Sequence, residues 1–266
     1  MEYTELKDGC VQWIRDWFDR NGKGCCAVLG MSGGKDSTVA AALCAEALGK
    51  DRVVGVAMPA EGQSLNDADK ICEYLGIRYL CVPIGDIINS FSCIASCKVS
   101  TQGAECIGTN APFAETLQEA ETQDLILSKQ AEQNIPPRVR MTVLYAVSQS
   151  LDGRVVNTCN LSENWVGYAT RWGDSVGDFS PLGELVVTEI RGIGHALGIP
   201  AVWVDKIPDD GLPHSCSDEQ KFGFTYEVLD RYIRTGECED PAVREKIDAM
   251  HRRNLFKMSM PESFVL

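Results

Sequence analysis

The chain has 266 residues, 44% hydrophobic and 24% charged, with a formal net charge of −13. That length supports one large α/β unit with a sizeable core. No apolar run approaches the roughly 18–20 residues needed to cross a bilayer, so no membrane partner is expected. So acidic a surface disfavours nucleic acid, whose binding draws on basic stripes. The N-terminal MEYTELKDGC shows neither a basic nor an apolar leader, which points to a cytoplasmic protein. The 12 cysteines are then read as thiols, several of them (Cys25, Cys26, Cys44, Cys81) in apolar runs where they pack as small hydrophobes.

In chain order, residues 4–20 carry apolar positions at Leu6, Val11, Ile14, Trp17 and Phe18, the spacing of an amphipathic helix. A short apolar run over 25–29 predicts a buried strand, followed by a helix over 36–49. A second strand is expected over 53–57, a helix from Asn66 to Leu75, and a third strand over 79–82. Strands alternating with helices predict a parallel sheet. The stretch 92–115 is rich in small and polar residues and reads as an insertion or mobile loop. Its Cys93, Cys97 and Cys106 lack the paired C-x₂₋₄-C spacing of a zinc site, and no role is assigned to them. Helical patterns resume at 116–133 and, after Pro136 and Pro137, at 138–150. A fourth strand is expected over 154–158, long loops over 167–183 and 206–217, a helix around Ile190, Ile193 and Leu197, and helical structure over 218–254.

The most informative segment is CCAVLGMSGGKDS, residues 25–37. Strand, glycine turn and helix start aim backbone N–H groups and the positive end of a helix at one point, which suits a phosphate. A Walker A loop needs Lys followed by Ser or Thr; here Lys35 is followed by Asp36, a carboxylate suited to Mg²⁺. Gly33 and Gly34 permit close backbone approach and positive φ, and Ser32, Ser37 and Thr38 bring hydroxyls. Ligands of open α/β sheets bind at the carboxyl ends of strands. The end of the fourth strand, NTCNLSEN over 157–164, is therefore a candidate ligand segment, although Glu163 taken alone reads as a first-turn helix glutamate beside the cap Ser162.

The string SGGKDS resembles the pyrophosphate loop of N-type ATP pyrophosphatases. NTCNLSEN resembles the G-T-x-x-x-x-E segment of ammonia-dependent NAD synthetases, with Asn157 where Gly is usual. The likeness covers about residues 25–254, through RVRM and Tyr145, VGYATRWGDSVGDFSPL, GFTYEVLDRYI and the pair His251 and Arg252. It implies an open parallel sheet flanked by helices, a Rossmann-like three-layer α/β fold of the adenine nucleotide alpha hydrolase type. One domain over 1–266 is expected, with lids at 85–115 and 206–217. The resemblance also implies ATP binding by Gly30, Met31, Ser32, Gly33, Gly34, Lys35, Asp36, Ser37 and Thr158, and Mg²⁺ on Asp36 and Glu163. Deamido-NAD would be bound by Arg138, Arg171, Asp178, His251 and Arg252, with Asp178 near the reacting carboxyl and able to take a proton from ammonia. The implied reaction is amidation of deamido-NAD with ammonia through an acyl-adenylate, in a homodimer. Trp172, Tyr168 and Phe179 offer either stacking surfaces for a ring or core packing. Two positions depart from the family pattern: Val187 stands where a lysine toward ATP is usual, and Asp209 where Ser or Thr is usual. The alternatives are an ATP pyrophosphatase acting on another substrate, or a nucleotide-binding module without catalysis.

Overall fold

The computed structural model describes residues 2–63, 67–96, 98–100, 106–107, 122–124, 126–206 and 217–264. Helix α1 (Tyr3–Asn21) buries Val11, Ile14 and Phe18. There follow β1 (Cys26–Gly30), α2 (Lys35–Leu48), β2 (Val53–Ala57), α3 (Ala68–Leu75) and β3 (Arg78–Cys81). Beyond α4 (Gly85–Ser90) come three short strands, β4 (Lys98–Ser100), β5 (Cys106–Ile107) and β6 (Thr122–Asp124). Helix α5 (Lys129–Ser150) leads into β7 (Gly153–Val155), then α6 (Leu161–Val166), α7 (Val187–Ala196) and α8 (Ala201–Val204). The last elements are α9 (Asp218–Phe222), α10 (Tyr226–Thr235) and α11 (Pro241–Met258).

The main sheet runs β3-β2-β1-β7, and every pairing in it is parallel. Alternation along β1 sorts its side chains between two layers. Ala27 and Leu29 join α1, α2 and α7 in one core, whereas Val28 meets Val54, Val56 and Val139 of α5 on the opposite face. A third cluster, around Tyr226, Leu229 and Ile247, ties α6 and α7 to α10 and α11. This is the expected three-layer α/β architecture. The chain leaves β1 toward β2 and β3 and returns on its other side at β7, which makes a topological switch point. The crevice at the carboxyl ends of β1 and β7 is where such sheets hold ligands. Among the described residues, no helix is long and apolar enough to cross a membrane.

Three expectations change. The segment 92–115 is not wholly loop: β4 pairs antiparallel with β5 and β6 in a small second sheet. That pairing also takes residues 122–124 out of the helix expected over 116–133, because long-range strand pairing overrides a weak local pattern. Finally, α5 is one helix from Lys129 to Ser150 with Pro136 and Pro137 inside it. The fixed proline φ matches helical backbone, so the loss is confined to two N–H donors and ring crowding. Ile135, Val139, Val143 and Val147, packed under the sheet, offset that loss. The helical region after 218 is divided into α9, α10 and α11 by Gly223 and Gly236, both in the left-handed conformation.

Candidate active site

Residues 30–37 form the turn the sequence predicts. Gly33 has φ +75°, a conformation that requires glycine. Gly34 does not: it has φ −89° and caps α2 in extended form. The N–H groups of the first turn of α2 have no intrahelical acceptors and face the crevice with the positive end of the helix. Two hydroxyls serve the loop itself, since Ser37 Oγ and Thr38 Oγ1 donate to the Gly34 carbonyl at 3.1 and 2.8 Å. Ser32 Oγ accepts the Gly34 N–H at 3.2 Å, and Ser32 is the exposed hydroxyl of the three. Met31 is not a ligand position by side chain: it is buried, and its N–H donates to the Val56 carbonyl at 2.9 Å.

Beneath the loop the charges converge. Lys35, only 2% exposed, pairs with Asp36 at 2.8 Å and lies 5.6 Å from the centre of the Tyr226 ring. Burial lowers the lysine's proton affinity, but Asp36 and Glu163 outweigh it, so its pKa stands above the ordinary value. Asn160 links the two strand ends. Its Nδ2 donates to Asp36 at 3.3 Å, and its Oδ1 accepts the Glu163 N–H at 2.9 Å. Glu163 Oε2 in turn accepts the Asn160 N–H at 3.3 Å, completing a capping box at the start of α6. Burial and the nearby Asp36 push the Glu163 carboxyl up to about 8. The site thus gathers two carboxyl groups around one lysine, and the second is neutralised either by a proton or by an added cation. Among the described residues no cluster of three or more His, Cys, Asp or Glu forms a metal cage. A Mg²⁺ ion, which keeps waters and takes phosphate oxygens beside one or two carboxylates, fits this donor set.

Asn157, the departure from glycine, has a structural explanation. Its amide donates to the carbonyls of Asp174 and Val176 at 3.0 and 3.2 Å, and its Oδ1 accepts from Cys159 N and Ser180 Oγ. It staples the loop 174–180 to the end of β7. Thr158 sits between it and Asn160, half-buried. Asp174 was not singled out in the sequence, yet its charge reaches Glu163. A buried network, also not foreseen, holds α6 from behind. Ser162 Oγ donates to Asp230 Oδ1 at 2.5 Å and accepts the Val187 N–H at 3.1 Å, while Asp230 Oδ2 accepts the Thr188 N–H at 2.7 Å. Val187 itself is 0% exposed and belongs to the third cluster.

A second group lines α5 and the loop 167–183. Arg138 Nε donates to the Arg171 carbonyl at 3.4 Å. The Arg171 guanidinium lies over Trp172 and Phe256, 5.0 and 5.5 Å from their ring centres. Asp178 Oδ2 accepts the Val155 N–H at 2.7 Å, and its Oδ1 accepts from Tyr145 Oη at 3.4 Å. The aspartate thereby closes a free edge of β7 as well as facing Tyr145. Phe179 is core, stacked on Trp17 at 4.6 Å, whereas Trp172 is 42% exposed. His251 stacks on Trp165 at 4.1 Å and bonds its carbonyl, so it is joined to α6, and Arg252 is exposed. Asp209 and Cys97 lie outside the described residues.

Comparison with known proteins finds relatives along nearly the whole sequence. The profile of the NAD synthase family matches residues 7–261. The NH(3)-dependent NAD(+) synthetase of Archaeoglobus fulgidus is 34% identical over 268 residues, covering 98% of this chain and 96% of that one. The enzyme of the same name from Methanococcus aeolicus is 36% identical over 218 residues, 81% of this chain and 75% of the relative. Among solved structures, the NMN synthetase of Francisella tularensis superposes with a TM-score of 0.82 at 25% identity, covering both chains fully. The NH3-dependent NAD synthetase of Campylobacter jejuni does so with 0.71 at 26%, again over both chains fully. The glycine loop, the paired carboxylates and these matches along nearly the whole sequence place this chain in the NAD synthase family.

Proposed function

We propose that the protein converts deamido-NAD to NAD with ammonia, splitting ATP to AMP and pyrophosphate. The observation that carries this reading is the convergence of the 30–37 loop with Asp36 and Glu163 in a chain matched by the NAD synthase profile over residues 7–261. A carboxylate oxygen of the pyridine ring attacks the α-phosphorus of ATP, and the bond to the bridging oxygen breaks. Pyrophosphate leaves toward the first-turn N–H groups of α2, with Ser32 and Lys35 beside it. Ammonia then adds to the carboxyl carbon of the acyl-adenylate and AMP departs. Asp36 and Glu163 would hold Mg²⁺, which supplies charge neutralisation at the phosphates. Asp178 accepts the proton released by the attacking nitrogen. Arg138 and Arg171, with His251 and Arg252, meet the dinucleotide's phosphates and carboxylate, for which the arginine fork is suited. The protein would act as a homodimer; sedimentation velocity tests that.

A mixture of protein, ATP, Mg²⁺, ammonium and deamido-NAD should yield NAD, AMP and pyrophosphate in equal amounts. Absence of all three sinks the proposal. One observation favours a second reading. The Francisella tularensis neighbour, with the TM-score of 0.82, is an NMN synthetase, so the amidated acid is a mononucleotide in that reading. Running nicotinate mononucleotide beside deamido-NAD decides between them by kcat/KM.

A further inference from the structure

The polyphosphate brings several negative charges into a site where Lys35 is already matched by Asp36 and faces Glu163. Val187 supplies no charge: its side chain is fully buried among Phe222, Phe224, Tyr226 and Leu229. The next side chain on the same helix face is Arg191, one turn along α7. Its placement follows from the packing of α7 on α2. A Cβ on Gly194 would lie 3.1 Å from Val39 Cγ2, so these positions face each other. One turn before these two positions stand Arg191 on α7 and Lys35, at the first turn of α2. The electrostatics agree, since the positive charge of Arg191 is felt at Lys35. Among the described residues Asp36 pairs with Lys35 alone, so the repulsion between the two cations opposes folding unless a further anion joins them. Arg191 Nε is buried and has no hydrogen-bond partner among the described residues, a costly arrangement for a guanidinium.

We propose that Arg191 binds the polyphosphate of ATP and the pyrophosphate it becomes, taking with Lys35 the charge that position 187 does not carry. This rests on the amidation reading above. The test uses Arg191→Gln and Arg191→Lys in the full-length protein. Arg191→Gln should raise the KM for ATP by about tenfold or more, leaving the KM for deamido-NAD within about twofold. The inhibition constant of inorganic pyrophosphate should rise in parallel. Arg191→Lys keeps the charge without the fork, and should fall between the two. Should Arg191→Gln fail to fold, the lysine variant and its ATP KM decide alone. Calorimetric titration of wild type and variants with Mg²⁺ and inorganic pyrophosphate gives a readout independent of turnover. Wild-type protein that binds pyrophosphate through Arg191 but makes no NAD refutes the amidation reading alone. Unchanged ATP KM and pyrophosphate affinity in Arg191→Gln, or a loss confined to thermal stability, overturns the assignment of Arg191.

Discussion

Replacing Ser162 by alanine removes one oxygen from the centre of the buried network behind the site. That oxygen donates to Asp230 at 2.5 Å and accepts from Val187 N at 3.1 Å. Ser162 is 0% exposed and Asp230 is 2% exposed, so water cannot replace it freely. Alanine leaves one carboxylate oxygen short of a donor and one N–H short of an acceptor. At the usual cost of such orphaned groups, the loss is roughly 2–4 kcal/mol. For a chain of this size that corresponds to a fall in Tm of roughly 5–15 °C. Differential scanning calorimetry of the ligand-free protein measures it. The Ser162→Thr variant, which keeps the oxygen, separates hydrogen bonding from packing: it should recover part of the loss. Because Glu163 follows directly, the alanine variant should also raise the ATP KM. A Tm within about 2 °C of wild type would show that the network contributes little, contrary to the orphaned-group argument.

Gly177→Ala would bring a Cβ to 2.6 Å from Asn157 N, a backbone atom, so it should destabilise by about 1–3 kcal/mol. Gly9→Ala, mid-helix in α1 with nothing within 4 Å, should stabilise by up to about 1 kcal/mol; equal effects from the two in thermal melts would refute the steric account. Burial pushes the thiols of Cys44 and Cys72 up to about 12 and about 11. Both stay protonated at pH 8, so iodoacetamide followed by peptide mass mapping should label the exposed Cys81 and spare these two. Asp178→Asn keeps an acceptor for Val155 N but loses the base. The kcat should drop by about 10²–10⁴ with little change in Tm, and a large Tm change with normal kcat would make the residue purely structural.

Local pattern made β1, β2, β3 and the glycine turn readable, because short apolar runs bounded by glycine have few other solutions in an α/β chain. Glu163 was legible through the family resemblance rather than from local pattern, which alone reads it as a first-turn helix glutamate; the structure links it to Asp36 through Asn160 because strand ends meet in a parallel sheet. What sequence could not show were effects that depend on partners far along the chain. β6 takes shape only because β4 lies beside it. Pro136 and Pro137 suggest a break, and only the apolar face of α5 against the sheet explains why the helix persists. Asn160, Ser162 and Asp230 look like ordinary polar residues until α6, α7 and α10 pack. The signal that was available for Asn160 was its spacing from Glu163, an N-cap residue three before a glutamate. Phe179, read as either a stacking surface or core, is core, and Val187, the departure from the family's lysine, is buried as well.

The switch point has a consequence for how the protein acquires activity during folding. β1 pairs with β7 through Cys26 and Gly153, and Asn160 reaches Asp36 across 124 residues of chain. The loss of chain entropy on closing so long a loop precedes any gain from these contacts. The strands β1 to β3 can associate early, because their contacts are closer in sequence. The expected order is that the glycine turn forms before its carboxylate partner arrives, with nucleotide affinity following the docking of β7. In a refolding time course, binding of a fluorescent ATP analogue should track the slowest phase.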